Sequence, residues 1–121
     1  MSTSSQVQKH LFLVYAPDYT DQGIFEKRLE VREKHLEGAL PTLEPQADVS
    51  MKIGGAMLTP ESITGEGPRK MVGSMLLFEA ESIEAVRRKI ESDIYYRSGV
   101  WDKNKLVILP YVKAIGTTTI S

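Results

Sequence analysis

The 121-residue chain contains no cysteine, which excludes disulfide bridges, thiolate metal sites and cysteine nucleophiles. The same absence fits a reducing compartment, so we expect a cytoplasmic protein. Positive charge is not in excess either, because 15 basic side chains stand against 16 acidic ones. A nucleic-acid-binding protein normally carries a basic stripe, and this balance argues against one. The longest apolar run, residues 11–16, is too short to span a membrane, and we expect no membrane partner.

Histidine is scarce, and the chain holds only His10 and His35. Two histidines at unrelated positions, without cysteine, make a poor metal site. No glycine-rich phosphate loop follows the first predicted strand, so a nucleotide cofactor is not expected. The signature of a nucleophile elbow is also absent. The sequence therefore predicts no metal and no organic cofactor, which leaves proton transfer between side chains and a small-molecule ligand.

The length predicts one domain, which should bury roughly two thirds of the surface of the unfolded chain. We assign residues 10–116 to this domain. Residues 1–9 are polar, rich in serine and without the apolar core of a secretory signal, so we expect a disordered lead. Residues 117–121 are expected to form a short tail.

Apolar periodicity and turn residues divide the domain into four strands and two helices. Thr20 or Asp21 is predicted to cap the first helix, and Ser82 the second. Pro110 should place the last strand at an edge of the sheet. Residues 59–69 form a long loop that can give the mouth of a pocket its own shape. The elements are predicted, in chain order, as strand 10–16, helix 22–40, strands 51–58 and 71–80, a helix that starts at residue 82, and strand 105–115.

The order β-α-β-β-α-β predicts an α+β, ferredoxin-like fold, in which two helices cover one face of the sheet. The first strand is apolar on both faces, because Leu13 and Tyr15 alternate with the equally apolar Val14 and Ala16. An apolar sheet face without helices needs a partner, and a second copy of the chain is the simplest one. We therefore predict a homodimer whose sheets pack face to face.

The helix predicted at residues 22–40 has an unusual apolar half, because Arg28, Arg32 and His35 lie on it. A buried charge without a partner costs several kcal/mol. These groups must therefore reach solvent, meet carboxylates, or line a cavity that a ligand enters. The apolar stripe of the same helix, which we expect to face the core, comprises Phe25, Leu29, Leu36 and Leu40.

Several short motifs follow one another in order between residues 10 and 115. They are YAPD at 15–18, RxxHL at 32–36, the glycine pair at 54–55, SIEA at 82–85, DIY at 93–95, GV at 99–100 and PYVK at 110–113. With these motifs the chain resembles the YciI-like (YCII-related) family of the dimeric α+β barrel superfamily. It departs from the family pattern at Ile94, where proline is usual, and at Ala56, where Gly-Pro usually replaces Gly-Ala.

The resemblance implies a His–Asp active site, which maps onto His35 and Asp93. Family members with a known reaction include a dehydrochlorinase acting on a chlorinated hydroxyquinol, whereas most members have none. An imidazole titrates near neutral pH, and a carboxylate on one ring nitrogen orients the ring and strengthens the other nitrogen as a base. The alternative role of Asp93 is a helix N-cap or Asx turn for the residues that follow it.

Other residues are predicted to contact a ligand. Arg32 could bind a substrate carboxylate or stabilise an enolate or phenolate, and its alternative role is a structural ion pair with Asp18 or Asp93. Gly54 and Gly55 interrupt the second strand, which indicates either a β-bulge or close approach by a ligand or another backbone. The remaining candidates are Arg28, which could equally extend to solvent, and four residues that core packing explains equally well, Tyr15, Ser74, Tyr95 and Trp101.

These residues predict a small cofactor-independent enzyme in which His35 moves a proton, Asp93 orients the imidazole and Arg32 holds an anionic oxygen. The expected reaction is acid/base elimination or isomerisation of a small cyclic or aromatic compound. One alternative is a non-catalytic dimeric module that binds a metabolite or interacts with other proteins. Another is a cofactor-free monooxygenase of electron-rich aromatic compounds, from the same superfamily.

Overall fold

The computed structural model describes residues 8–65 and 67–117. The predicted disordered lead and tail fall mainly on residues 1–7 and 118–121, which lie outside the described residues. The regular elements are β1 (His10–Pro17), α1 (Ile24–Ala39), β2 (Ser50–Leu58), β3 (Met71–Ala80), α2 (Ile83–Ser92), α3 (Ile94–Arg97) and β4 (Val107–Tyr111). The predicted β-α-β-β-α-β order and the α+β ferredoxin-like fold are confirmed. The additional short helix, α3, lies in the connection that leads to the last strand.

The four strands form one antiparallel sheet in the order β2-β3-β1-β4. Here β4 pairs with β1 on one side and lies at the edge, as Pro110 predicted. A proline has no amide hydrogen to donate, and at the edge of the sheet no further strand needs that hydrogen bond. The strand ends at Tyr111, earlier than the predicted residue 115.

The two faces of the sheet differ in burial. Phe12 and Val14 on β1 and Phe78 on β3 are buried against the helices. The alternating residues face the other way, and among them Tyr15 is 46% exposed and Leu109 is 55% exposed. The sequence analysis predicts that a second copy of the chain covers this face, and this homodimer stays a prediction.

The orientation predicted for α1 is wrong. Arg28 is the buried residue of this helix at 1% exposure, whereas Leu29 is 47% and Leu36 is 44% exposed. Ile24 and Val31 flank Arg28 on the inward side and pack against the core. The inward side is thus the one that carries Arg28 and His35. It faces the sheet because Arg28 finds hydrogen-bond acceptors and a carboxylate there, as described below.

The predicted start of α1 is also wrong. Neither Thr20 nor Asp21 caps the helix, which is preceded by Gly23 in the left-handed region at φ 91° without a side-chain cap. Glycine adopts this conformation at little cost because it lacks a Cβ atom. By contrast, Ser82 caps α2 as predicted, since its hydroxyl accepts a hydrogen bond from the amide of Ala85 at 3.1 Å.

The irregularity in β2 does not fall at the glycine pair. The register of its pairing with β3 shifts at two other places, between Met51 and Ile53 and between Met57 and Leu58. Gly54 serves close packing instead, because a Cβ atom there would stand 2.5 Å from the Met51 sulfur and 3.1 Å from Leu76. Gly55 has open space where its Cβ would be.

Among the described residues, no helix combines the length and apolar character that crossing a bilayer requires. The longest, α1, has 16 residues and alternates charged with apolar side chains throughout.

Replacement of Leu36 by alanine tests the orientation of α1. A side chain that is 44% exposed loses little burial on truncation, so we expect Leu36→Ala to cost less than about 1 kcal/mol of unfolding free energy. The matched control is Ile90→Ala in α2, which is 1% exposed and should cost about 2–5 kcal/mol. Urea unfolding of both variants provides the comparison. A loss at Leu36 as large as that at Ile90 would show that the leucine side faces the core.

Candidate active site

The structure brings His35 of α1 next to Asp93, which joins α2 to α3. The Nδ1–H of His35 donates to Oδ1 of Asp93 at 2.8 Å, across 58 residues of sequence. Both side chains are largely shielded from solvent. This arrangement fixes one tautomer of the neutral imidazole and leaves the Nε2 lone pair available to a ligand. The catalytic role of the pair stays a prediction.

Asp93 also makes the contact that its alternative role required. It is the N-cap of α3, and the same Oδ1 accepts a hydrogen bond from the amide of Tyr95 at 2.9 Å. The two roles are therefore compatible, because one oxygen accepts from both the backbone and the imidazole. The cap holds the carboxylate in a fixed direction, and the carboxylate in turn holds the ring of His35.

Aromatic contacts fix the plane of the imidazole. Tyr95 stacks on His35 with 3.9 Å between ring centroids and 13° between planes. Trp101 meets the edge of both rings, at 6.0 Å from His35 and 5.6 Å from Tyr95. Burial raises the pKa of Tyr95 above its ordinary value of 10.0, and the nearby Arg28 offsets part of this rise. Tyr95 is thus a neutral, rigid support for the histidine.

Arg28 lies on the same side of α1 as His35, two turns earlier, and is fully enclosed. Its Nη2 donates to the hydroxyl of Ser74 and to the carbonyl of Gly73, both at 2.6 Å. Its Nε is 3.2 Å from Oδ2 of Asp18. The guanidinium carbon lies 4.5 Å from the centre of the Tyr95 ring, a cation–π contact. Arg28 therefore links α1 to β3, to Asp18 at the end of β1, and to the Tyr95 ring that stacks on His35.

Asp18, which the sequence offered as a partner for Arg32, contacts Arg28 instead. Its carboxylate is buried beside Arg28, and neither oxygen accepts a hydrogen bond from the described residues. Burial raises the pKa of Asp18 from 3.8 to about 6, although the positive charge of Arg28 pulls it down. The sequence signal for the burial of Asp18 is its position directly after the apolar strand β1.

An open cleft separates α1 from the β2–β3 side of the sheet. Its volume is about 190 Å³. One wall consists of α1 residues, among them Arg28, Arg32 and His35, and the other of β2 and β3. The strand side contributes small or apolar groups, which are Met51, Gly54, Gly55, Ala56, Met71, Ser74 and Leu76, and Tyr95 completes the lining. We call this space the cleft.

The predicted ligand-contacting residues fall into two groups. Five of them line the cleft, namely Arg28, Arg32, Gly55, Ser74 and Tyr95. Trp101 lies behind the lining, fully buried, where its Nε1–H donates to the Ser74 hydroxyl at 3.2 Å. Tyr15 does not line the cleft, because the alternation of β1 directs it to the sheet face opposite the helices.

The alternative role of Arg32 is contradicted. Asp18 contacts Arg28 and Asp93 contacts His35 instead, and neither carboxylate forms an ion pair with Arg32. Within the described ranges, Arg32 makes no ion pair, and its exposed side chain stands at the mouth of the cleft. Its charge is therefore available to a ligand.

Fold and site together define the class: a ferredoxin-like α+β domain with a cleft between helix and sheet, lined by a histidine that contacts an aspartate. Protein YciI from Escherichia coli O6:H1 is 32% identical over 100 residues, covering 76% of this chain and 88% of YciI. Fusaric acid biosynthesis protein 2 from Gibberella fujikuroi is 30% identical, covering 83% of this chain and 90% of that protein. The chain belongs to the YciI-like family.

Two further comparisons concern larger or solved relatives. Aspartate kinase FUB3 from Fusarium oxysporum is 31% identical over 100 residues, and the chain spans 17% of its length. The structure of 5-chloro-2-hydroxyhydroquinone dehydrochlorinase (TftG) from Burkholderia phenoliruptrix in complex with 2,5-dihydroxybenzoquinone superposes with a TM-score of 0.68 at 25% identity, over 86% of this chain and 95% of TftG. No family model matches the chain. Among these relatives, the dehydrochlorinase structure contains a bound small ring compound.

The raised pKa of Asp18 predicts a pH dependence of stability. The native carboxyl group, with a pKa of about 6, binds a proton more tightly than the unfolded chain does. The contribution of Asp18 to the unfolding free energy should therefore become more favourable as pH falls from about 6 to about 4, and should be lost as pH rises again. Asp18→Asn imitates the protonated group and should lack this component.

Urea unfolding of the unmodified protein and of Asp18→Asn between pH 4 and pH 7 gives two profiles of the unfolding free energy. Because the other carboxylates contribute equally to both profiles, their difference isolates the contribution of Asp18. A carbon-13 NMR titration of the Asp18 carboxyl group gives its midpoint directly. Parallel pH profiles together with a midpoint near the ordinary value would contradict the burial of this charge.

Proposed function

We propose that this protein is a small cofactor-independent enzyme that uses His35 and Asp93 for acid/base proton transfer on a small cyclic or aromatic compound. The observation that supports the proposal most strongly is the 2.8 Å contact between Asp93 and His35, of which His35 lines the cleft. Elimination and isomerisation are the reaction types that fit, because both require proton transfer and neither needs an external oxidant or reductant.

His35 would act first as a base. With Nδ1–H held by Asp93, the Nε2 lone pair accepts a proton from the bound compound, and the carboxylate stabilises the imidazolium that results. In an isomerisation, the same proton returns to a different atom of the substrate. In an elimination, a leaving group departs with the electron pair, and His35 later releases its proton to water. Asp93 orients the ring throughout.

Arg32 would hold the negative charge that develops on the substrate. It is the cation at the mouth of the cleft that has no carboxylate partner in the described part of the chain. Removing a proton from a hydroxylated ring places charge on an oxygen, and a guanidinium stabilises such an oxygen with directed hydrogen bonds. Arg28 would contribute less, because Asp18 already balances its charge.

The dimensions of the cleft fit one substituted ring. Its volume of about 190 Å³ compares with the cavity of about 150 Å³ that binds benzene in another protein. The dehydrochlorinase TftG supplies a model reaction. Loss of HCl from a chlorinated hydroxyquinol removes one proton and one chloride and leaves a quinone, so no external electron acceptor is needed.

The functional unit in this proposal is a homodimer. The sheet face opposite the helices exposes several large side chains, which are Tyr15, Met75, Val107, Leu109 and Tyr111. A second copy that packs sheet to sheet would remove them from water. Residues 10–116 would then be the domain that each subunit contributes.

Replacement of His35 tests the catalytic proposal. His35→Ala should lower turnover roughly 10²–10⁴-fold, the usual contribution of a positioned acid/base group. His10→Ala is the matched control, because His10 is exposed on β1 and lies outside the cleft. The assays are chloride release from 5-chloro-2-hydroxyhydroquinone and deuterium incorporation from D₂O into hydroxylated rings. Equal rates for the two variants on a substrate that the unmodified protein converts would contradict the proposal.

The same assays separate the alternatives. A metabolite-binding module would retain a ring compound without converting it, and Asp93→Asn would leave its affinity nearly unchanged. A monooxygenase would consume O₂ and stop under anaerobic conditions, whereas elimination or isomerisation would continue at the same rate.

A further inference from the structure

A second cavity adjoins the cleft at Arg32. This outer chamber has a volume of about 430 Å³ and is lined by Leu29, Arg32, Ala56, Leu58, Arg69 and Met71. Three of these residues, Arg32, Ala56 and Met71, also line the cleft. The two spaces therefore lie side by side, with Arg32 at their common boundary.

The charges around the two spaces are not balanced in the same way. In the cleft, Arg28 has Asp18 and His35 has Asp93 as a partner. In the outer chamber, Arg32 and Arg69 form no ion pair with any described residue, and no aspartate or glutamate is among the described residues of the lining. Two guanidinium groups thus stand together in a chain whose formal net charge is −1.

We propose that the outer chamber binds an anionic substituent of the substrate, specifically a carboxylate, while the ring occupies the cleft. This inference rests on the proposed function, because it assigns the ring to the space beside His35. It adds Arg69 as a specificity-determining residue. Arg69 belongs to the end of the long loop between β2 and β3, the segment from which a distinctive pocket mouth was expected.

The chemistry of the chamber favours a carboxylate on a carbon frame. A guanidinium presents two parallel N–H donors that match the two oxygens of a carboxylate. Leu29, Leu58 and Met71 supply apolar surface around the charges, which lowers the local dielectric constant and strengthens the attraction. A neutral ring would gain the apolar contacts alone.

Binding of two probes tests the inference without turnover. The probes are 2,5-dihydroxybenzoate and hydroquinone, which share a dihydroxylated ring and differ in the carboxylate. We expect the carboxylate probe to bind about fivefold or more tightly at low ionic strength. Arg69→Gln should weaken binding of the carboxylate probe by about three- to tenfold and leave hydroquinone unchanged, whereas Arg69→Lys should retain part of the preference.

The matched control is Lys70→Gln. It removes the same charge from the neighbouring residue, which lines a different surface of the protein, and it should change neither affinity more than about twofold. Equal affinity of the two probes, no measurable binding of 2,5-dihydroxybenzoate, or equal effects of the Arg69 and Lys70 variants would each overturn the inference.

The carboxylate subsite and the proposed reaction can be refuted independently of each other. Dependence of carboxylate binding on Arg69, combined with unchanged turnover in His35→Ala, would support the subsite and refute the proposed reaction. Loss of turnover in His35→Ala without any preference for the carboxylate probe would do the opposite.

Discussion

The buried charge of Arg28 determines which side of α1 faces the sheet. Hydrophobicity alone would turn the leucines inward, since each buried leucine side chain contributes about 1.5–3 kcal/mol. The opposite rotation would leave the carboxylate of Asp18 and the hydroxyl of Ser74 enclosed without the guanidinium that contacts both. An uncompensated buried carboxylate costs several kcal/mol. The leucines therefore stay partly exposed, and His35, on the same side as Arg28, points toward the sheet.

Tyr95 transmits this constraint to the candidate site. Its ring contacts the guanidinium of Arg28 and stacks on His35, two residues that lie about two helical turns apart on α1. The amide of Tyr95 also donates to Asp93. One residue of the short α3 thus fixes the imidazole plane from its side chain and the carboxylate from its backbone. The geometry of the His–Asp pair therefore depends on the packing of α3 against α1.

The parts of the structure that follow local rules were predictable from the sequence. The cap at Ser82 depends only on residues within one helical turn, and the edge position of Pro110 depends only on its missing amide hydrogen. Both predictions are confirmed. The side of α1 that faces inward depends on Asp18 and Ser74, which periodicity along one helix cannot reveal. Likewise, the proximity of His35 and Asp93 was predicted only from the family resemblance, because no spacing rule relates residues that are 58 positions apart.

The charges of the site form a gradient along the cleft. At its base, the positive charge of Arg28 is compensated by Asp18, whose pKa of about 6 leaves it mostly ionised at neutral pH. At its mouth, Arg32 has no compensating carboxylate among the described residues. A ligand with one anionic end is therefore attracted to the mouth rather than to the base. Under the proposed function, this orientation would direct the opposite, uncharged part of the ring toward the free nitrogen of His35, where proton transfer would occur.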